Sequence, residues 1–389
     1  MSKTKQAPDS GPKSTARAKT KGRVAAAAPE GSLPLDLALQ GGGSHGAFTW
    51  GVLDRLLDDP QIRPVSISGT SAGALNAAVL ATGWAAGGRT GAQQALRAFW
   101  MDVATEGHCF GDAAAISPAW GAALGWPWSA WAAAPGLSGF NLDNQPWYPW
   151  SQQFLRSFSP YQFNPLGDNP LRKVLQRHVQ PAALRTCGLA LFITATAVRT
   201  GQPRVFDAQD LSIDALLASA CLPQLFKAVE IDGQSYWDGG YSGNPALWPL
   251  IYHPGSLDLL LIKINPSVRP CLPNTPAEIA DRVNEITFNA GLVSEMRAIA
   301  FVHRLLAEGK VDPRKYRDLR LHMVADEEGL APLQASSKLN TDRNFLQALH
   351  ALGHAAAERW LQMHRHDIGQ RPTLDLRSTF LSPRQGQAA

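Results

Sequence analysis

The sequence offers few residues for covalent cross-links or membrane spans. Its 389 residues include only 4 cysteines, and no two of them have CxxC spacing. No apolar stretch after the basic N-terminus is long enough for a signal peptide. We therefore predict a cytoplasmic protein whose cysteines are reduced packing residues. No run of about 18 apolar residues is present, so we expect no spanning helix and only peripheral contact with a membrane.

Charged residues are also scarce, at 17% of the chain. The net charge of +4 comes from residues 1–32, which hold 7 basic and 2 acidic side chains, so the rest of the chain is close to neutral. This distribution gives no support to a nucleic-acid-binding domain. Residues 1–32 contain too little apolar surface to fold, and we predict a disordered basic tail. We favour a solvated linker over a polybasic arm that binds anionic membranes.

Two strand–turn–helix units predict the N-terminal architecture. Residues 34–40 form a buried strand pattern, and a glycine-rich turn separates them from helical spacing at 47–57. A second short strand at 65–68 runs into GTSAG and then into an alanine-rich helix at 72–81. Such units indicate the α/β class, with a mostly parallel sheet flanked by helices.

The remaining chain is predicted to complete the same domain. We expect strands at 188–198, 204–207, 227–231, 234–237, 257–264 and 319–324, and helices at 91–101, 170–178, 213–219, 276–308 and 344–363. We divide the chain into the tail 1–32, a catalytic region 33–250 with an insertion at 107–166, C-terminal strands and helices 251–370, and a flexible tail 371–389. The insertion holds six of the 12 tryptophans, which favours a lipid-facing cap over plain core.

The segment GTSAG, Gly69 to Gly73, has the residues of a nucleophile elbow. A serine on a sharp strand-to-helix turn needs small neighbours two positions away, so that the backbone can bend and expose the hydroxyl. Ser71 is the candidate nucleophile. The alternative is an ordinary glycine-rich turn.

The segment GGGSHG, Gly41 to Gly46, allows two interpretations. It matches the G-x-G-x-x-G pattern of dinucleotide-binding loops, but that use requires an acidic residue at the end of the second strand. Here the second strand ends in Ser68 and leads straight into the serine elbow. The other use is an oxyanion hole, because consecutive glycines can turn backbone N–H groups toward one point.

A base for Ser71 is predicted at Asp238, which ends a strand and is followed by two glycines. The usual base in such sites is histidine. Among the 10 histidines, His322 best fits the order of a conventional triad, although a structural role at a strand is the simpler explanation.

Together these motifs resemble the patatin-like phospholipase family. The resemblance runs from about residue 33 to 248, through LALQGGGSHGAFTWGVLDRLL, GTSAG, ASACLPQLF and YWDGGYSGNPALW. It implies a three-layer α/β/α sandwich and hydrolysis of lipid acyl esters by a Ser–Asp dyad without histidine, metal or cofactor. On this basis Ser71 is the nucleophile and Asp238 the base. The implied oxyanion hole consists of backbone N–H groups of Gly41, Gly42, Gly43 and Ser44.

One position departs from the family pattern. The family usually carries Arg or Lys just before the last glycine of the loop, where this chain has His45. A histidine with an ordinary pKa of about 6.5 is mostly neutral at pH 7. We treat His45 as an auxiliary site residue or as a helix-start residue without a catalytic role.

The expected partner is a lipid substrate or a membrane surface, and not a nucleic acid. The motifs do not distinguish phospholipids, lysophospholipids, neutral glycerides and storage polyesters, nor do they define an oligomeric state. A catalytically silent lipid-binding protein and a nucleotide-dependent oxidoreductase remain as alternatives from other functional classes.

Overall fold

A computed structural model describes residues 31–106, 136–144, 158–253, 255–269 and 271–381. Most of the predicted N-terminal tail and most of the tryptophan-rich insertion lie outside these residues, as does the end of the predicted C-terminal tail. Within them, none of the helices is long and apolar enough to span a bilayer.

Eight strands of the described chain form one mixed sheet. They are β1 Leu33–Leu39, β2 Ile62–Thr70, β3 Ala190–Ala197, β4 Pro203–Asp207, β5 Val229–Ile231, β6 Gln234–Asp238, β7 Asp258–Ile262 and β8 Arg320–Val324. Their order is β5-β6-β3-β2-β1-β7-β8, and β4 also pairs with β3. The five strands from β3 to β8 in this order are parallel. Antiparallel pairing is confined to β4, β5 and β6 at one end.

Helices cover both faces of this sheet. They are α1 Gly46–Asp58, α2 Ala72–Glu106, α3 Pro160–Phe163, α4 Pro170–His178, α5 Pro181–Thr186, α6 Ile213–Ser219, α7 Trp248–Tyr252, α8 Pro276–Ala307, α9 Glu327–Leu330 and α10 Arg343–His364. Short 3-10 helices lie at Gly43–His45, Gly136–Phe140, Leu142–Asn144, Gly239–Tyr241, Ala335–Leu339 and Arg365–Asp367.

The central strands place apolar side chains on both faces, as strand geometry requires. Leu37 and Leu39 of β1 join the larger core, to which α1, α2 and α10 contribute. Ala38 points to the other face and joins a second core with residues of α7 and α8. Two cores separated by one sheet make the three-layer α/β/α sandwich that the sequence predicted.

Several local signals in the sequence correspond to structure. Asp232 and Gly233 both have positive φ, at 52° and 72°, and form the tight turn between β5 and β6. Thr275 and Glu278 form the predicted capping box at the start of α8. The helices predicted at 72–81 and 91–101 are both present, as two helical segments of α2 that meet at a kink. Its backbone is non-helical only at Gly87 and Gly88.

Candidate active site

Ser71 lies on the sharp turn between β2 and α2. Its φ is +53°, a left-handed conformation that is rare for a residue with a side chain. The turn is closely packed, because a Cβ atom on Gly69 would lie 2.6 Å from the carbonyl oxygen of Gly73. A Cβ atom on Gly73 would in turn clash with the carbonyl of Leu39. Both glycines are therefore required by space, which is the geometry expected of a nucleophile elbow.

A neighbouring serine holds this strained turn. The Ser71 backbone N–H donates to Ser219 Oγ at 2.9 Å, and Ser219 Oγ donates to the carbonyl of Thr194 at 2.6 Å. Ser219 is fully buried, whereas Ser71 is 7% exposed and lines a cavity. The elbow is thus tied to β3 and its hydroxyl remains accessible from one side.

The register of the sheet brings Asp238 to this turn. Thr70, the last residue of β2, pairs with Thr194 of β3, and the next residue of β3, Ala195, pairs with Asp238 at the end of β6. The residue after Thr70 is Ser71. The nucleophile and the carboxylate therefore flank the same end of β3 and line the same cavity. Residues that are 167 positions apart in sequence are brought together by strand pairing.

Asp238 is fully buried, and only one of its two carboxylate oxygens has a hydrogen-bond partner among the described residues. Its Oδ1 accepts the N–H of Gly240 at 2.7 Å, whereas its Oδ2 has no hydrogen-bond partner among the described residues. Burial raises the pKa of Asp238 to about 7, and hydrogen bonding from Gly240 and the Ser71 hydroxyl opposes part of this rise. The Ser71 hydroxyl thus lies close enough to act on the carboxylate, although Oδ2 lacks a hydrogen bond of ordinary geometry. Such loose contacts are common in sites without a bound ligand.

The glycine-rich loop follows β1 and lies against the elbow. A Cβ atom on Gly41 would lie 2.7 Å from the Ser71 Cβ, so only glycine fits there. Contrary to the sequence-based assignment, the Gly41 N–H is already donated to Asn244 Oδ1 at 2.6 Å and is not free for an oxyanion. Gly42, Gly43 and Ser44 line the cavity. Among the described residues, no acceptor is present for their backbone N–H groups.

Two asparagines hold the loop, and sequence reasoning missed both. Asn244 donates back to the carbonyl of Gly41 at 3.3 Å, and Asn265 Nδ2 donates to the same carbonyl at 2.7 Å. Both side chains are buried. Asn244 lies six residues after Asp238 in YSGNP, so its nearness to the DGG motif was the available signal. Asn265 follows β7 and carried no comparable signal.

His45 lies under the glycine loop and does not line the cavity with its neighbours. Its Nε2 is 2.8 Å from Ser337 Oγ, which donates its own proton to the carbonyl of Gln334. His45 Nε2 is therefore the donor in this contact. Burial, with a smaller effect of Lys338, holds the pKa of His45 well below its ordinary value. The side chain is a neutral packing and hydrogen-bonding group at the base of the loop.

His322, the candidate for a conventional triad, lies elsewhere. It is fully buried on β8, with Nδ1 2.9 Å from Thr373 Oγ1 and Nε2 3.1 Å from Asp258 Oδ1. Three strands, β7, β1 and β2, separate β8 from β3. With both ring nitrogens engaged there, His322 serves the structure of the sheet edge.

The cavity at Ser71 has a volume of about 860 Å³, a size typical of small-ligand sites. The larger apolar side chains of its lining, here called the apolar wall, include Leu75, Phe99, Trp100, Val103, Leu171, Val174, Leu222, Phe226 and Phe288. Within the described ranges, no three His, Cys, Asp or Glu side chains come together as a metal site would require. The arrangement supplies a hydroxyl, a carboxylate, free backbone donors and an apolar wall.

Comparison with known proteins gives one informative match. The family model described as patatin-like phospholipase matches residues 37–251 of this chain. Among solved structures, VipD from Legionella pneumophila is similar at 12% identity and a TM-score of 0.37, over 90% of this chain and 73% of that one. At that TM-score the likeness carries no functional argument. No curated protein matches the chain in sequence.

Proposed function

Because the chain belongs to the patatin-like phospholipase family, we propose that it cleaves carboxylic ester bonds of phospholipids or related lipids through a Ser71–Asp238 dyad. The family supports lipid acyl hydrolysis in general. The dyad, the acyl-enzyme and the phospholipase A or lysophospholipase type are our proposal.

The observation that carries the proposal is the buried Asp238 carboxylate, whose Oδ2 lacks a partner next to the strained Ser71 turn. A general base works best when its pKa is near the working pH. An ordinary aspartate, with a pKa of about 3.9, is too weak a base to activate an alcohol efficiently. Burial moves the pKa of Asp238 to about 7, which suits it for taking the Ser71 proton.

The first half-reaction forms an acyl-enzyme. Asp238 Oδ2 accepts the proton of Ser71 Oγ while Oγ attacks the ester carbonyl carbon. The negative charge that develops on the carbonyl oxygen is stabilised by free N–H groups of Gly42, Gly43 and Ser44. Loss of one such donor typically costs about 3 kcal/mol of transition-state stabilisation. The carbon–oxygen bond to the alcohol then breaks, and the protonated Asp238 returns the proton to the leaving alcohol.

The second half-reaction restores the enzyme. Asp238 accepts a proton from water as the water oxygen attacks the acyl-enzyme carbonyl, and the same N–H groups stabilise the second oxyanion. Collapse of this intermediate releases the fatty acid, and Ser71 Oγ recovers its proton from Asp238. The apolar wall with Phe99 and Leu222 is suited to hold the acyl chain in both steps.

A fluorophosphonate probe tests the proposal directly. The purified protein is expected to gain one phosphonyl adduct by intact mass, and the proteolytic peptide that contains Ser71 is expected to carry it. The treated protein should then release no fatty acid from phospholipid vesicles, whereas the untreated protein should. Absence of an adduct, or an adduct confined to another peptide, contradicts the proposed nucleophile.

The activity is expected to depend on pH through Asp238. Since burial raises the pKa of this carboxylate to about 7, the base is active above that pH and protonated below it. We expect kcat/KM to rise through pH 7 to a plateau and to fall about tenfold for each unit of pH below the midpoint. Initial rates on a soluble ester between pH 5 and 9 measure this profile.

A His45→Gln variant is the matched control for this profile. Because burial keeps the pKa of His45 well below its ordinary value, we do not expect this imidazole to titrate near pH 7. The variant is expected to keep the midpoint of the native enzyme even if its rate differs. A midpoint that disappears in His45→Gln would assign the titration to the histidine instead of Asp238.

A further inference from the structure

Lys338 lines the same cavity as Ser71, although it lies far outside the family-matched residues. It belongs to the 3-10 helix Ala335–Leu339, between α9 and α10. Its main chain packs directly on the glycine loop, because a Cβ atom on Gly43 would clash with the Lys338 carbonyl. A segment from the C-terminal part of the chain thus forms one side of the candidate oxyanion hole.

The Lys338 ammonium is linked to this loop by one bridging side chain. Lys338 Nζ donates to Asn265 Oδ1 at 2.8 Å, and Asn265 Nδ2 donates to the carbonyl of Gly41 at 2.7 Å. The charge is close enough to lower the pKa of Asp238. Lys338 therefore sits within electrostatic reach of the base and beside the oxyanion donors.

The ammonium has unused hydrogen-bonding capacity. It carries three donors, and Asn265 is the one acceptor that the described residues supply. No described carboxylate forms a salt bridge with it. By contrast, two acidic groups of the cavity are already paired: Glu285 lies 3.2 Å from Arg269 Nε, and Glu106 lies 2.7 Å from Arg177 Nη2. The other two acidic residues of the lining, Asp238 and Asp281, attract the ammonium electrostatically.

Burial makes an anionic ligand favourable at this lysine. Lys338 is partly buried, and desolvation lowers its pKa. Glu285, Asp281 and Asp238 oppose that effect, while Arg269 adds to it. A partly buried cation with unsatisfied donors is stabilised by an anion that can accept its hydrogen bonds. The backbone N–H groups already serve the reacting carbonyl, so the ammonium is available for a second group of the same substrate.

We propose that Lys338 binds a phosphate of the substrate next to the scissile ester, and so selects anionic glycerophospholipids over neutral glycerides. The inference rests on the proposed hydrolase function and names its substrate class. In a glycerophospholipid the phosphate is only a few bonds from the acyl ester, so one molecule can present the ester to Ser71 and the phosphate to Lys338. Lysine contacts phosphate as a point charge with several donors.

The test compares two esters with the same acyl chain, 1-oleoylglycerol 3-phosphate and 1-oleoylglycerol, each in the same neutral detergent micelles. The native enzyme is expected to prefer the phosphate ester in kcat/KM by at least tenfold. A charge-assisted hydrogen bond is worth about a 10- to 100-fold factor, so Lys338→Met should lower the preference ratio by that amount. Lys310→Met is the matched control, because Lys310 is exposed and pairs with Glu308 at 2.6 Å.

Raising the salt concentration gives a second measurement that needs no variant. The native preference for the phosphate ester should fall as ionic strength rises, because screening weakens the contact with a partly exposed charge. In Lys338→Met the ratio should be low at all salt concentrations. Fluorophosphonate labelling of Lys338→Met shows whether the active site of this variant is folded. If the variant is not labelled, the salt dependence of the native enzyme's preference tests the inference by itself.

Each remaining outcome has one meaning. Equal hydrolysis of the two esters by the native enzyme overturns the inference but leaves the proposed Ser71 hydrolase function intact. The same holds if Lys338→Met reacts with the fluorophosphonate and yet keeps the native preference ratio between the two esters. A native preference that does not respond to salt also overturns it. If neither ester is hydrolysed and no adduct forms on Ser71, the proposed function itself has failed.

Discussion

Replacing Ser71 with alanine is expected to lower kcat/KM on lipid esters by about 10⁵- to 10⁶-fold, the loss typical when a catalytic nucleophile is removed. The hydroxyl is the atom that forms the acyl-enzyme, and no other group of the elbow can replace it. Fatty acid release from a defined phospholipid, followed over hours at high enzyme concentration, measures a loss of this size. The free N–H groups of Gly42 to Ser44 would remain, so a small residual rate over water is expected.

Ser336→Ala is the matched control for that variant. Ser336 lines the same cavity, but its hydroxyl bonds to Asp143 and not to the elbow. We expect its activity to stay within about tenfold of the native value, as for a change that removes no reacting group. Retention of most activity in Ser71→Ala would remove Ser71 from the mechanism.

Asp238→Asn is expected to lower kcat/KM by about 10³- to 10⁴-fold. Asparagine has nearly the same shape and can still accept the N–H of Gly240, which Asp238 Oδ1 accepts at 2.7 Å. Its amide cannot take the proton of Ser71, so the variant loses the base while the fold is kept. The rise of activity through pH 7 should also disappear, because the group that titrates is gone.

His322→Gln distinguishes this dyad from a conventional triad. His322 lies on β8 and its nitrogens contact Thr373 and Asp258. We expect the variant to be less stable to urea, since a buried hydrogen-bonded pair is disturbed, but to remain active when folded. If the folded His322→Gln is inactive while Asp238→Asn is active, the dyad assignment is wrong.

Much of the fold was predictable because its signals are local. Alternating or continuous apolar runs predicted most strands, and the Asp232-Gly233 turn and the Thr275 capping box follow from residues within a few positions of each other. The glycines of the elbow were recognisable for the same reason, since a sharp turn imposes its requirement on adjacent residues.

The parts of the site that were not predicted depend on long-range pairing. Asn244 accepts the N–H of Gly41 although the two residues are 203 positions apart in sequence. Lys338 donates to Asn265, which is 73 positions away and contacts the glycine loop. The position of an asparagine or lysine in a loop shows no periodicity or motif spacing from which a hydrogen-bond partner distant in sequence could be predicted. The raised pKa of Asp238 is likewise a property of burial, and composition does not report burial of a single carboxylate.

The pairing of β1 with β7 bears on where this protein can be divided. β1 carries the glycine loop at its end, and its hydrogen-bonded neighbours are β2 on one side and β7 on the other. The family match ends at residue 251, before β7 begins. A chain shortened to that boundary would leave an open strand edge, which favours aggregation, and would lack Asn265 and Lys338. We therefore expect the stretch that carries the family signature to fold poorly without the strands and helices that follow it.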